Sequence, residues 1–460
     1  MHTDDRGLAL TTDSAEAAAT FNTTIDEYLE YRSSAMKTLG TALEADPGFV
    51  LGNCLKGYLF MLFSSNQVMG KVADSLAAAD AGAANATARE QAHVEALRTW
   101  STGDLLRTNA IWDQILVDDP LDILALRLQH FNTFWMGRSL AMRDGVARVM
   151  HAWDDSIPGY GSILGMYAFG LEESGEYARA ESLGRRAVEI NGEDLWAVHA
   201  VAHVLEMQGR AEDGQVWLDQ APNAWDDRNP FKGHVWWHTA MFALARGQYD
   251  QVLEIYDHGV APNPSDFYLD MQNAASMLAR LDLVGVDVGD RWASLADMSE
   301  QRTGDHIIVF TEMHYMMALV HEGRVEAARK LLDSQRAFSE TPNNFAAAAM
   351  KEVGVQVCEA ILAHGTGDYA AAIDLMMPIR ESYARVGASH AQRDIFAQFL
   401  IEATLKDGQL KLARTLLSER VELFPNSSAA WNFYADALAG LGDTVGAGAA
   451  RDKAAELLAA

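Results

Sequence analysis

Cysteine is nearly absent: Cys54 and Cys358 are the only two in 460 residues, too few for a disulfide framework or a thiolate zinc site. Reduced thiols in a cytoplasmic protein are the matching expectation. Positive charge is also scarce, with 36 Lys and Arg against 64 Asp and Glu and a net charge of -28 spread along the chain. Such a field repels phosphate backbones and anionic lipid heads, so neither nucleic acid nor a membrane surface is expected as a partner. No run of 18 apolar residues occurs, and the N-terminal MHTDDRGLALTTDSAEAAATF lacks a basic stretch leading into an apolar one. Membrane spanning and secretion are therefore not expected. The 10 prolines form no linker with Gly and Ser. Phosphate-loop and nucleophile-elbow signatures are missing as well.

What is present is a repeat. LEESGEYARAESL, ALARGQYDQVLEIY, LVHEGRVEAARKLL, LAHGTGDYAAAIDL and LKDGQLKLARTLL share an apolar helical run, a glycine and a second amphipathic run. From Gly175 through Gly209, Gly247, Gly285, Gly323, Gly367 and Gly408 to Gly442 the spacings are 34, 38, 38, 38, 44, 41 and 34 residues. Gly137, Gly103 and Gly70 extend the series backwards at 38, 34 and 33. Small residues follow five positions after the glycine at Ala180, Ala328, Ala372 and Ala413, where two helices must approach closely. Helix-stopping prolines fall seventeen after it at Pro120, Pro264 and Pro425. Trp236 and Trp431 stand eleven before it.

This grammar resembles the tetratricopeptide repeat, a helix–turn–helix unit of 34 residues. The resemblance implies an all-α, tetratricopeptide-like α-solenoid of eleven or twelve helix pairs. Residues 1–19 would be an N-terminal extension and 20–460 a single continuous superhelical domain. At whole-chain scale the sequence resembles the tetratricopeptide repeat protein 38 family, through His199-Ala-Val-Ala-His203-Val-Leu-Glu206, His234-Val-Trp-Trp-His238, Asp305-His306 with Glu312-Met-His314, and Ser389-His390-Ala-Gln-Arg393-Asp394. That family brings an expectation of fold and none of activity.

Counting the turn glycine as position 15, the groove-facing residues of the first helix are positions 2, 5, 6, 9 and 12. These places hold Trp196, His199, Ala200, His203 and Glu206 before Gly209; His234, Trp237, His238, Met241 and Leu244 before Gly247; and Phe310, Met313, His314, Met317 and Val320 before Gly323. Each pair spaced i, i+4 shares a helix face, so His199, His203, His234, His238 and His314 are expected to converge. The plainer alternative is that each histidine is a satisfied packing residue.

Two chemistries fit. His199, His203 and Glu206 have the donor types and spacing for zinc or iron(II), with His238 or His314 from a neighbouring helix able to complete the shell, although no cofactor is the default expectation. Without metal, His203, His238 and His314 are the candidates for acid–base catalysis. Trp196 and Trp237 offer stacking surfaces, and Trp236 and the groove methionines are expected to be core. His306, His390, Arg393 and Asp394 complete the candidate ligand-binding set, with Arg393 as the anchor for a carboxylate or phosphate. Set against that, Ser389 or His390 can simply cap a helix, and Arg393 with Asp394 can pair across repeats. The reading is a protein that binds a small molecule or peptide terminus in a groove lined by His and Trp. The alternative is a hydrolase or lyase using the same histidines, and homo-oligomerisation stays open.

Overall fold

The computed structural model describes residues 1–219 and 223–459. Among them the chain runs as twelve successive helix pairs, from Ala15–Leu29 with Ala35–Ala45 to Ser428–Gly440 with Thr444–Ala459. It is an all-α, tetratricopeptide-like solenoid. No helix among the described residues is long and apolar enough to cross a membrane.

The turn that joins each pair explains the glycine series. Gly103, Gly137, Gly175, Gly209, Gly247, Gly285, Gly323, Gly367, Gly408 and Gly442 all have φ between 65° and 85°. A side chain there costs about 1–2 kcal/mol, which glycine avoids. The reversed backbone lets the next amide reach back: Glu176 N–H donates to the Leu171 carbonyl (2.9 Å) and Arg324 N–H to that of Leu319 (2.8 Å). Carbonyls at the helix end are satisfied in this way. Ala180, Ala328, Ala372 and Ala413 are fully buried where paired helices meet. Trp236 lies against Gly259, where an added Cβ would come within 2.6 Å of its ring.

Gly70 departs from the series, because it lies inside the helix Met69–Ala83 rather than at a turn. In the first two pairs the left-handed position is held by Tyr31 (φ 60°) and Ser64 (φ 51°). The N-terminal extension also differs in detail. His2–Thr3 and Ala9–Leu10 pair as a minimal antiparallel hairpin, closed by Asp4, whose Oδ1 accepts from the amides of Arg6 and Leu8 at 2.9 Å. The first helix begins at Ala15 and is capped by Ser14.

The chain divides into two compact units. The first comprises Met1–Val201, Trp225–Phe231 and Thr341–Ala348; the second comprises Ala202–Ala224, Lys232–Glu340 and Ala349–Ala460. In the first unit Trp100 and Trp112 pack edge to face around Tyr58. Beside them, Asp122 joins Arg89 (2.7 Å) and His93 (3.0 Å) in a buried ionic cluster and caps the helix Ile123–Trp135 through the Ala125 amide. The second unit is built on Trp237, Phe242, Trp292, Phe310 and Phe396, all buried. Met313 and Met317 are core there too. This unit closes on itself: Asn426 Nδ2 donates to the Gln208 carbonyl (3.3 Å), and Leu458 packs over Gly247.

Candidate functional site

Closure of the second unit forms a partly open cavity of about 610 Å³, within the size range of small-molecule sites. Its wall brings together Glu206, Met241, Leu244, Arg280, Asp394 and Arg420 from helices distant in sequence. Most of the charge on this wall is paired. Asp394 meets Arg420 in two parallel bonds of 2.7 and 2.9 Å. Glu206 accepts from His238, Glu402 from His364 and Lys406, and Asp213 from Arg210.

Arg280 is the exception. It is 1% exposed and lines the cavity, yet among the described residues no carboxylate lies within 4.0 Å of its guanidinium. Its bonds go to carbonyl oxygens, those of Ser276 (3.1 Å) and Ala391 (2.9 Å), and Nε has no hydrogen-bond partner. Burial pulls its pKa down to about 10, against the raising influence of Asp394 and Glu206. At neutral pH it is still a cation.

Behind this wall lie three imidazoles. His203 comes from the helix Leu195–Met207, and His234 and His238 from the helix Phe231–Ala245. The ring centres of His203 and His238 are 4.4 Å apart, and those of His234 and His238 are 4.9 Å apart. Two of the rings are oriented from outside: His238 Nδ1 bonds Glu206 Oε2 at 2.6 Å, and His234 Nδ1 bonds Asn273 Oδ1 at 2.8 Å. Burial, reinforced by His238, pushes the His234 pKa down to about 3 despite the opposing bond from Asn273. It is therefore neutral.

The remaining sequence candidates have the following surroundings. His199 belongs to the first unit, where it packs on Phe169, Trp196 and Phe231. Glu206 is a partner of His238. His314 is buried against Phe310 and bonds its carbonyl through Nδ1 at 2.8 Å. Burial, opposed by that bond and aided by Arg280, holds its pKa near about 3. His306 is spent locally, with Nδ1 on Glu312 (3.0 Å) and Nε2 on Ser334 (2.7 Å). It is not on the cavity wall.

Both candidate stacking tryptophans already carry a cation from their own unit. The Arg280 guanidinium sits 5.3 Å from the Trp237 ring centre, and that of Arg127 sits 4.6 Å from Trp196. Trp237 further donates its Nε1–H to Ser276 Oγ. Arg393, expected to anchor an anion, instead bonds the Gly387 and Ala388 carbonyls at the end of the preceding 3₁₀ segment. The cavity-wall arginine with no carboxylate within 4.0 Å among the described residues is Arg280. Ser389, not His390, caps the helix His390–Lys406, in a reciprocal arrangement with Gln392. Arg280 and Asn273 escape sequence reasoning because they fall at positions 10 and 3 of the most degenerate repeat, outside the expected groove register.

No protein-family model matches the chain. It is similar to several solved structures at low identity. The tetratricopeptide-repeat domain of P58(IPK) shares 14% identity over 80% of this chain and 93% of that one, with a TM-score of 0.23. A human IFIT1 dimer with m7Gppp-AAAA shares 12% over 98% and 92%, with a TM-score of 0.39. The APC/C hetero-tetramer Cut9–Hcn1 shares 12% over 97% and 96%, with a TM-score of 0.36. These are likenesses of fold alone.

Proposed function

We propose that the second unit is a receptor for a small carboxylate, held in the 610 Å³ cavity with its anionic group on Arg280. The observation that carries this reading is a buried guanidinium on a cavity wall with no carboxylate of its own among the described residues. A buried cation is costly unless it is paired. A planar carboxylate matches the guanidinium fork in charge and shape. The neighbouring acids already have basic partners, so they compete weakly for this one. Apolar groups such as Met241, Leu244 and Phe433 supply contact area for the rest of the ligand. A protein of the tetratricopeptide repeat protein 38 type would then use closure of its repeats to make a pocket, not an open peptide groove.

The test is calorimetric titration of the full chain with a panel of short mono- and dicarboxylates, set against their amides. The expected result is saturable binding of at least one acid, no binding of its amide, and loss in Arg280→Met. Equal binding of acid and amide, or of wild type and variant, would refute the reading.

A further inference from the structure

The three imidazoles behind the cavity wall are unused by a carboxylate receptor. His203, His234 and His238 each offer a ring nitrogen, and these lie within 4.8 Å of one another. All three side chains are buried, at 0%, 4% and 0% exposure. Clustering alone would fit a packed aromatic core. The outward bonds favour something more specific. A neutral imidazole that donates its Nδ1–H has its lone pair on Nε2. Glu206 and Asn273 hold Nδ1 of His238 and His234 through oxygen, which leaves Nε2 of each ring as the nitrogen a metal would take. This is the arrangement of metal-ligating histidines, whose second nitrogen is bonded to a carboxylate or carbonyl that sets ring orientation and raises basicity.

We propose that His203, His234 and His238 bind one divalent ion of the zinc class, with Glu206 and Asn273 orienting two of the three rings. Nitrogen donors select zinc and its first-row neighbours over calcium and magnesium, which demand oxygen. Ligand nitrogens at zinc lie roughly 2.0–2.1 Å from the metal, so the rings draw slightly inward on binding. Glu206, beside His238, balances part of the added charge. Of the sequence expectation of His199, His203 and Glu206 with His238 or His314 completing the shell, His203 and His238 are kept as donors, the carboxylate moves outward to a supporting place, and His234 is added. It stands apart from the carboxylate reading, since Arg280 takes no part in it.

The experiment is metal analysis of the full-length protein from zinc-supplemented cultures, together with cobalt(II) substitution. The expected result is about one zinc per chain and visible cobalt bands of a low-coordinate nitrogen site. His203→Gln and His238→Gln should each retain less than a tenth of the metal, whereas His306→Gln should keep it. Glu206→Gln, which can still accept the Nδ1–H but lacks the charge, should weaken binding about 10- to 100-fold. Wild-type protein that stays metal-free and gives no cobalt spectrum overturns the proposal, as does full occupancy in the His203 and His238 variants. If those variants fail to fold, the wild-type stoichiometry and cobalt spectrum decide alone. Carboxylate binding that survives while metal binding fails would remove this inference and leave the receptor reading standing.

Discussion

Replacing Arg280 by Met separates the two roles a buried cation can have. Its pKa falls from the ordinary value near 12.5 to about 10, with burial as the largest cause. At about 1.4 kcal/mol per tenfold in acidity, the folded protein gives up roughly 3 kcal/mol to keep the charge at pH 7. A carboxylate bound beside the guanidinium would return much of that, equivalent to about a hundredfold in affinity. The hydrogen bonds to the Ser276 and Ala391 carbonyls offset part of the cost in the empty protein, at about 1 kcal/mol each. The contact with Trp237 adds about as much again. Methionine has similar length, no charge, and flexibility enough to fill the space over the indole.

The unliganded Arg280→Met protein should accordingly unfold within about 2 kcal/mol of wild type, while carboxylate affinity falls about 100-fold or more. Urea denaturation gives the first quantity and calorimetry the second. Arg280→Lys should fall between the two, because it keeps the charge and loses the fork. The reasoning fails if Arg280→Met loses more than about 4 kcal/mol of stability while its folded fraction binds normally. That outcome would make Arg280 a structural strut between the helices Tyr268–Leu283 and His390–Lys406.

Further outcomes test other parts of the molecule. Asp122→Ala should cost about 3–5 kcal/mol, since it strands buried Arg89 and His93 and removes a helix cap; a urea-derived loss under about 1 kcal/mol would contradict the cluster's role. Burial alone would raise the Asp122 pKa, but His93 and Arg89 hold it well below the usual range. Its stabilisation is thus complete above about pH 4 and drains away as pH falls towards the depressed value, so the acid limb of the melting curve should flatten in Asp122→Asn. Gly209→Ala should cost about 2 kcal/mol, from φ of 65° plus a Cβ placed 2.8 Å from Asn426 Cβ; Gly175→Ala, with φ of 79° and no atom within 4 Å, should cost only about 1 kcal/mol. Cys54 and Cys358 are fully buried, and burial raises both thiols well above their ordinary value, so thiol reagents should label native protein far more slowly than denatured protein, and rapid native labelling would contradict that burial.

The fold was legible because its most costly backbone feature has one cheap solution. A left-handed residue at every turn selects glycine, and ten of eleven marked glycines stand there. The eleventh failed for the complementary reason: Ser64 takes the left-handed place in its pair, and nothing in a serine announces that a turn will absorb the strain. Extrapolating the period onto Gly70 put the turn six residues late. The hairpin left a fainter mark in Asp4 and Gly7, an Asx-type turn that short strands of two residues do not reinforce.

The site was legible only as far as helical periodicity reaches. Register put His203, Glu206, His234 and His238 on faces that do meet, because spacing of three and four along a helix survives in any fold. Whether such a face meets solvent, a ligand or another helix depends on how strongly the array curves, and no residue spacing encodes that directly. Here the Asn426 and Leu458 contacts close the second unit, so the expected groove face becomes interior and the cavity begins one turn further on, at Glu206, Met241 and Leu244. The same closure explains why Arg280 was passed over in favour of Arg393. A helix-embedded arginine in an acidic chain reads as surface until the helix His390–Lys406 is seen to seal it in, its Ala391 carbonyl accepting from the guanidinium. Arginines with local carbonyls to cap, as Arg393 has in Gly387 and Ala388, can be satisfied within their own loop. The residue worth following is the one whose neighbours leave its charge unanswered, and that is a property of the assembled repeats.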